Sequence, residues 1–335
     1  MTSPTLLTVI LNYRTAPLTL RAADAALRDM EGIAGGLVIV DNDSRDGSFR
    51  MLSDAVRDRG WDADGRVRVI QAGVNGGFGA GNNVGIRAGL SDGTPPDFIY
   101  VLNSDAFPDR GAIRVLMEFL RDHPRAGFVG SHVRGEDDVP HPTLFRFPSI
   151  AGEFESAARF GPITRLLKNA TVRLPIPDTP RQIDWSAGAS LMIRRAALDE
   201  IGLFDEGFFL YFEETDLCRR AAAAGWERWY HPDSRVVHIG SVSTGMNKWD
   251  RVPTYFLDSR TRYFTKTHGR AYAAMATLGL VAGGTLWRLR CLLTNRAVGA
   301  PRWFLRDLIA HAWRTGFALP RLPLPPARTL REDSE

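Results

Sequence analysis

The chain has 335 residues, 44% hydrophobic and 24% charged, an ordinary globular composition with room for one large domain or two modest ones. A net charge of +4 and a pI of about 9.3 suit an acidic ligand or an anionic surface, and the absence of a nucleic-acid motif or a central basic stripe argues against nucleic acid. With only Cys218 and Cys291, in no spaced pattern, a disulfide scaffold and a thiolate zinc site are excluded and a reducing cytoplasm fits.

The first residues, "MTSPTLLTVILNY", lack the basic start of a secretory signal and enter a strand pattern almost at once. "TLLTVILNY" predicts the first strand, followed by an amphipathic helix from about Leu18 to Met30. "LVIVDND" predicts the second strand, then a helix from about Ser48 to Arg59 that Asp46 or Ser48 can cap. "RVRVIQA" is the third strand, "GAGNNVGIRAGL" a short helix and "FIYVLNSD" the fourth strand. A helix from about Gly111 to Asp122 and the strand "GFVGSHV" follow. Unbroken Val, Ile and Leu runs indicate strands buried on both faces, and their alternation with helices predicts an α/β, doubly wound, mostly parallel sheet. From about Gly135 to Ile183 prolines and mixed polarity predict a long, flexible loop excursion. Residues 251–268 read as a helix anchored by Tyr255, Tyr263 and Phe264, and Ala271 to Trp287 carries no charge.

In open α/β sheets ligands bind outside the carboxyl ends of the strands. Those ends carry Asn12-Tyr13-Arg14, Asp41-Asn42-Asp43 and Asn103-Ser104-Asp105, and the third strand leads into "GVNGGFGAGNN". One polar tip is ordinary turn chemistry, but four on one edge point to a ligand. The glycine stretch fails the dinucleotide fingerprint, because Asn82 stands at the third glycine position and the stretch follows the third strand. It remains a loop that lets backbone approach a ligand and leads into an anion-favouring helix N-terminus, with Asn82 and Asn83 as helix caps or ligand contacts.

Glu213, Glu214 and Asp216 open another helical pattern, where acids suit the helix dipole. Glu213 and Glu214 also abut "FFLYF", and adjacent carboxylates beside aromatics acquire the raised pKa of a general base. His238 follows a short strand-like run, ordinarily a structural position. Beside Asp105, its imidazole with a carboxylate and diphosphate oxygens would suit Mg²⁺ or Mn²⁺. The glycines and hydroxyls of "IGSVSTG" offer a turn that can meet phosphate. Trp185, just ahead of Gly188 and Ala189, is either core or an aromatic wall for a sugar, with Trp229 and Trp249 as weaker candidates.

The uncharged run Ala271–Trp287 falls short of the roughly 20 apolar residues of a spanning helix. Arginines from Arg270 to Arg328 and the aromatics Trp303, Phe304, Trp313 and Phe317 suit a helix lying in a membrane interface. The alternatives are packing on the preceding domain and a homodimer contact.

Taken in order, "VILNYR", "VDNDSRDGS", "NGGFGAGNNVGI", "YVLNSDAF", "DWSAGASLMIRRAAL", "GLFDEGFFLYFEETDLCRRAAAAG" and "VVHIGSVST" resemble the inverting family-2 glycosyltransferases of the GT-A fold, in particular the bacterial rhamnosyltransferase-like branch. The resemblance covers about residues 5 to 268. It implies a catalytic domain over 1–268, with nucleotide-sugar binding in about 1–133 and acceptor binding and catalysis in about 134–268, and a helical, basic C-terminal extension over 269–335. By resemblance, Asn12, Tyr13, Arg14 and Asn42 would lie along the donor, and Asp41 would accept the N3–H of uracil or thymine. Asn75, Gly77, Phe78, Asn82, Asn103 and Ser104 would line the donor pocket. Asp105 and His238 would hold the metal. Glu214 would be the base, with Glu213 beside it and Asp216 as the second candidate, and Trp185, Gly188 and Ala189 would face the acceptor.

Asn103 stands where many relatives carry Asp, as in the rhamnosyltransferase-like branch, whose motif often reads Asn-Pro-Asp; Ser104 in place of that Pro and Glu214 in place of Asp depart from the pattern. The activity implied is transfer of L-rhamnose from dTDP-rhamnose to a saccharide acceptor, lipid-linked, in bacterial surface polysaccharide synthesis. The implied location is cytoplasmic, peripheral on the inner membrane. The alternatives are a UDP-sugar donor or a soluble acceptor. A sugar nucleotidyltransferase would carry a basic, glycine-rich loop after the first strand, which "NYRTAPLTL" lacks, and a carbohydrate-binding module would need no base.

Overall fold

A computed structural model of the chain describes residues 4–240, 249–299 and 301–319. Four parallel strands make one half of the central sheet. β1 (Leu6–Asn12) lies between β2 (Gly35–Asp41) and β4 (Phe98–Asn103), and β3 (Val67–Gln71) flanks β2. Alternate side chains of β1 enter opposite cores, Leu6 and Ile10 on one face, Leu7 and Val9 on the other. That division explains the unbroken apolar runs: strands covered on both faces have no side that wants water. α1 (Ala16–Asp29), α2 (Ser48–Asp58) and α4 (Ala112–Asp122) contribute to the first core, α3 (Phe78–Ala88) to the second.

The rest of the sheet is mixed. β10 (Ser190–Arg194) runs antiparallel between β4 and β6 (Ala126–Arg134), and β11 (Glu227–His238) runs parallel to β6. β5 (Ala106–Pro108) and β8 (Arg181–Gln182) pair antiparallel with β11. β1, β2, β3, β4, β6 and β11 therefore share one direction, as the mostly parallel expectation requires. α7 (Arg195–Ile201) and α8 (Glu213–Ala223) complete the second core.

The 135–183 excursion is more ordered than its composition suggests. It carries β7 (Leu144–Phe145), which pairs with β9 (Trp185–Ser186), the helices α5 (Ile150–Ala158) and α6 (Gly161–Leu166), and β8. α5 is the seat of the extension. After α9 (Thr254–His268), α10 (Arg270–Leu293) packs along α5, and α11 (Phe304–Thr315) follows. Small residues permit the close approach: a Cβ at Gly283 would lie 2.4 Å from Phe154 O. The packing alternative for the uncharged run thus holds for one face of α10.

Two local expectations change. The N-cap of α2 is Gly47, left-handed at φ 89°, and Asp46 Oδ1 accepts the Ser48 N–H at 3.0 Å from one residue before the cap. Asn82 and Asn83 do not cap α3, because its N-cap is Gly77 and both asparagines lie inside the helix.

Candidate active site

Parallel register sets the strand tips side by side, with Asn12 opposite Asp41 and Leu11 opposite Asn103. Asn12 is fully buried and its amide is fully engaged. Nδ2 donates to Asp41 Oδ1 (2.7 Å) and Ser44 Oγ (3.2 Å), and Oδ1 accepts from Thr19 Oγ1 (2.7 Å). Its role is to orient Asp41 rather than to offer a free hydrogen-bonding edge. Ser44 also donates to Asp41, from Oγ to Oδ1 (2.5 Å) and from the backbone to Oδ2 (3.2 Å). Half-buried Tyr13 lies under exposed Arg14, whose guanidinium is 5.1 Å from the ring centre and whose Nε donates to Ser44 O.

The glycine-rich loop is shaped by what cannot fit there. At Gly77, with φ 89°, a Cβ would lie 1.8 Å from Phe209 O, the same carbonyl that accepts the Phe78 N–H at 3.0 Å. Asn75 Oδ1 accepts from Gly77 N and from Asn42 Nδ2, closing the turn. Gly81 and Gly85 set α3 directly on Leu11 and Val9, so its N-terminus comes to the sheet edge, where its dipole favours an anion. Two buried polar atoms beside it, Asn42 Oδ1 and Asn82 Oδ1, have no protein partner. Asn83 ties α3 to the 203–212 loop: its Oδ1 accepts the Phe204 N–H, and its Nδ2 donates to Phe204 O and Glu206 Oε1.

At the next tip, β5 pairs with β11 so that His238 stands opposite Ala106. This register delivers His238 Nε2 to 3.1 Å from Asp105 Oδ1 and 3.3 Å from Asn103 Nδ2. Gly240 N donates to Asp105 Oδ2 at 3.2 Å. Ser104 Oγ accepts from Thr15, so it holds the loop to β1's end. The phosphate-meeting turn expected after Gly240 lies, apart from that first contact, outside the described residues. Among the described residues no cluster of three or more His, Cys, Asp or Glu is placed to bind a metal. A carboxylate and an imidazole this close nonetheless fit Mg²⁺ or Mn²⁺ when a ligand's own oxygens complete the set.

The carboxylates come from the first turn of α8. It follows Tyr211 and Phe212, consecutive non-glycine residues in the left-handed region at φ 71° and 68°. Such a turn costs roughly 1–3 kcal/mol per residue and persists only when packing over-determines it. Here Tyr211 packs on Trp249 and Tyr255, and Phe212 on Phe256 and Tyr263. The strained turn aims two adjacent glutamates inward, a feature the sequence pattern does not announce.

Glu213 is buried, and its Oε2 has no partner. Burial first, and the neighbouring Glu214 second, raise its pKa well above the ordinary carboxylate value, which favours its protonated form. Glu214 is half-buried, with Oε1 accepting the Gly188 N–H at 3.0 Å. Burial raises its pKa as well. Asp216, the second candidate base, is instead an ion-pair partner, bound by Arg220 (2.9 Å) and by Lys266 (2.7 Å) from α9.

Gly188 and Ala189 connect the two halves of the site. Gly188 N donates to Glu214, and Ala189 O accepts the Asn103 N–H at 3.0 Å. Trp185 is placed differently from an open sugar wall: its ring stacks on Phe145 at 4.2 Å and its Nε1 donates to Arg146 O.

Comparison with known proteins follows the same lines. The family model described as Glycosyl transferase family 2 matches residues 8–201. The chain is 32% identical over 188 residues to the N-acetylglucosaminyl-diphospho-decaprenol L-rhamnosyltransferase of Mycobacterium tuberculosis, covering 53% of this chain and 61% of that protein. It is 25% identical over 171 residues to the rhamnosyltransferase WbbL of Escherichia coli, covering 50% and 62% respectively. The chain thus spans about three-fifths of the length of these relatives. The mannosyltransferase PcManGT of Pyrobaculum calidifontis, solved in complex with GDP-Man and Mn²⁺, shares the fold with a TM-score of 0.54 at 16% identity, over 95% of this chain and 83% of its own.

Proposed function

The chain belongs to glycosyl transferase family 2, and on that premise we propose that it transfers L-rhamnose from dTDP-rhamnose to a lipid-linked saccharide at a membrane surface, with inversion at the anomeric carbon. The observation that carries this reading is the link through Gly188 and Ala189. It ties a half-buried carboxylate of raised pKa, Glu214, to the Asn103–Asp105–His238 corner where a diphosphate would leave. The names of the Mycobacterium tuberculosis and Escherichia coli relatives support the sugar, and the former supports the lipid-linked acceptor.

In this mechanism Glu214 takes the proton of the acceptor hydroxyl while that oxygen attacks the anomeric carbon. The bond from the anomeric carbon to the diphosphate breaks, and its electron pair leaves with the phosphate oxygen. Neutral Glu213 keeps a second negative charge away from Glu214, so the base retains its role near neutral pH. Asp105 and His238 would hold Mg²⁺ or Mn²⁺, which when bound would offset charge on the departing diphosphate. The N-terminus of α3 would add its dipole to the same charge. Asp41, oriented by Asn12 and Ser44, would read the N3–H of thymine.

A donor panel tests the reading. dTDP-rhamnose, UDP-sugars and GDP-mannose are each incubated with Mg²⁺ or Mn²⁺ and a prenyl-diphosphate saccharide. Rhamnosyl product with inverted configuration is the expected result. Turnover confined to a UDP-sugar would replace the donor, and retained configuration would remove the single displacement.

A further inference from the structure

A lipid-linked acceptor brings the enzyme to a bilayer, and we infer that the outward faces of α10 and α11 are the surface that docks there, lying flat on anionic lipid. The acceptor proposed above supplies the reason for such a surface. The side chains of the two helices supply the observation.

The inner face of α10 is committed to the protein, with Ala273, Ala276, Leu280 and Gly283 buried. Among the described residues no helix is long and apolar enough to cross a membrane. The outer face is the unusual one. Met275, Leu278, Ala282, Thr285, Leu289 and Leu292 succeed one another at intervals of three or four, so they form one stripe, and all are exposed. A helix side facing water ordinarily carries charge, and this stripe has none over five turns.

Beside it, Leu305 of α11 packs over Gly284 of α10. α11 with its N-cap residue exposes Trp303, Ile309 and Trp313, the last at 91%. Of the 14 large hydrophobic side chains exposed among the described residues, nine lie between 275 and 319, so the concentration belongs to the extension and not to the surface at large.

Charge favours lipid over a second copy of the chain. Residues 270–319 hold seven arginines against one acid, Asp307, and that acid is already held by Arg251 (2.5 Å) and Arg306 (3.3 Å). In a two-fold dimer this patch would meet itself and set arginine near arginine. Anionic headgroups neutralise it instead, and tryptophan favours the headgroup layer that lies between water and hydrocarbon. Exposed Arg302 and Arg314 would contact headgroups while Trp303, Trp313 and the α10 stripe enter the acyl boundary.

The test is flotation of the full chain with phosphatidylcholine vesicles, with and without phosphatidylglycerol. The wild type should float with both and more strongly with phosphatidylglycerol. Trp303→Ser/Trp313→Ser and, separately, Met275→Gln/Leu278→Gln/Leu289→Gln should each lower partition at least about tenfold on both vesicles. Arg302→Gln/Arg314→Gln should lower it roughly twentyfold on the anionic vesicles only. All these positions are exposed, so unchanged melting curves should confirm folding, and transfer to a short-chain, water-soluble acceptor should persist. Vesicle binding without rhamnosyl transfer would leave the surface intact and remove the proposed activity. No vesicle binding by the wild type, or binding unaltered by every variant, overturns the surface. So does a dimer, seen by sedimentation without lipid binding, that the stripe variants dissolve.

Discussion

Glu214 accepts the backbone N–H of Gly188 at 3.0 Å, and the next residue along, Ala189, accepts the N–H of Asn103. One dipeptide therefore sets the distance between the proposed base and the proposed metal corner. Gly188 has little room to become anything else: a Cβ there would lie 2.7 Å from Glu214 Oε1 and 2.9 Å from Phe78 Cζ. Gly188→Ala should displace the Glu214 carboxyl without unfolding the protein, because both obstacles are side-chain ends. A displacement of about 1 Å is expected to cost on the order of 10²-fold in kcat. A kcat loss of about that size with an unchanged melting temperature supports this; unchanged kcat would mean that Glu214 is not positioned from Gly188.

The two glutamates should respond oppositely to the same change. Glu214→Gln removes the proton acceptor and should lower transfer by about 10²–10⁴-fold while donor binding persists. Glu213→Gln replaces a carboxyl whose protonated form burial favours by an amide of nearly the same shape, and should retain most activity. Equal losses at both positions, measured as single-turnover rates, would refute the division of roles.

The pH dependence carries two signs. Burial raises the Glu214 pKa, so the acid limb of kcat/KM should lie above the usual glutamate value of about 4.3 and activity should fall as pH drops through it. Glu213 is also raised, by burial and by Glu214, so the folded state holds its proton more tightly than the unfolded state. Its contribution to stability is complete below the unfolded value and is lost as pH rises toward the folded one. Urea unfolding across pH should therefore show wild type losing stability against Glu213→Gln as pH rises above about 5. Parallel profiles would place Glu213 outside the titrating pair.

Cation dependence should reside in Asp105 and His238, whose side chains meet at 3.1 Å. Asp105→Ala should abolish the difference between donor affinities measured calorimetrically with and without Mn²⁺. His238→Ala should weaken that difference by about 10–100-fold. An undiminished Mn²⁺ effect in Asp105→Ala would remove the metal assignment.

Asn83 should matter to stability rather than to chemistry. Its amide bonds both backbone groups of Phe204 in a buried setting, so Asn83→Ala leaves two polar groups unsatisfied and should cost about 2–4 kcal/mol in urea unfolding. A loss below about 1 kcal/mol would show that the 203–212 loop is held by other contacts.

Much of the fold was legible because burial on both faces leaves a simple trace. The apolar runs of β1, β2 and β4 could be read as parallel strands, and the polar residues at their ends followed from where those runs stop. The adjacent acids Glu213 and Glu214 were equally visible beside their aromatic neighbours. Trp185 was not resolvable in this way, since a tryptophan near a glycine reads the same whether it stacks on Phe145 or faces a ligand. Asp216 illustrates the same limit: its Arg220 partner is one helical turn away, but Lys266, on α9, is brought in only by tertiary packing.

By itself, the order of residues determined the parallel half of the sheet, the polar edge and the candidate chemistry, because periodicity and composition act over a few residues. The tertiary structure decided which of those groups meet. The short strand β5 had no clear pattern, yet its pairing with β11 brings His238 to Asp105 across 133 positions. The same holds for α10, whose uncharged run could not reveal which side would be buried until α5 took one face and left the other exposed. Such contacts join distant segments through register and shape, and neither is written into any local stretch of sequence.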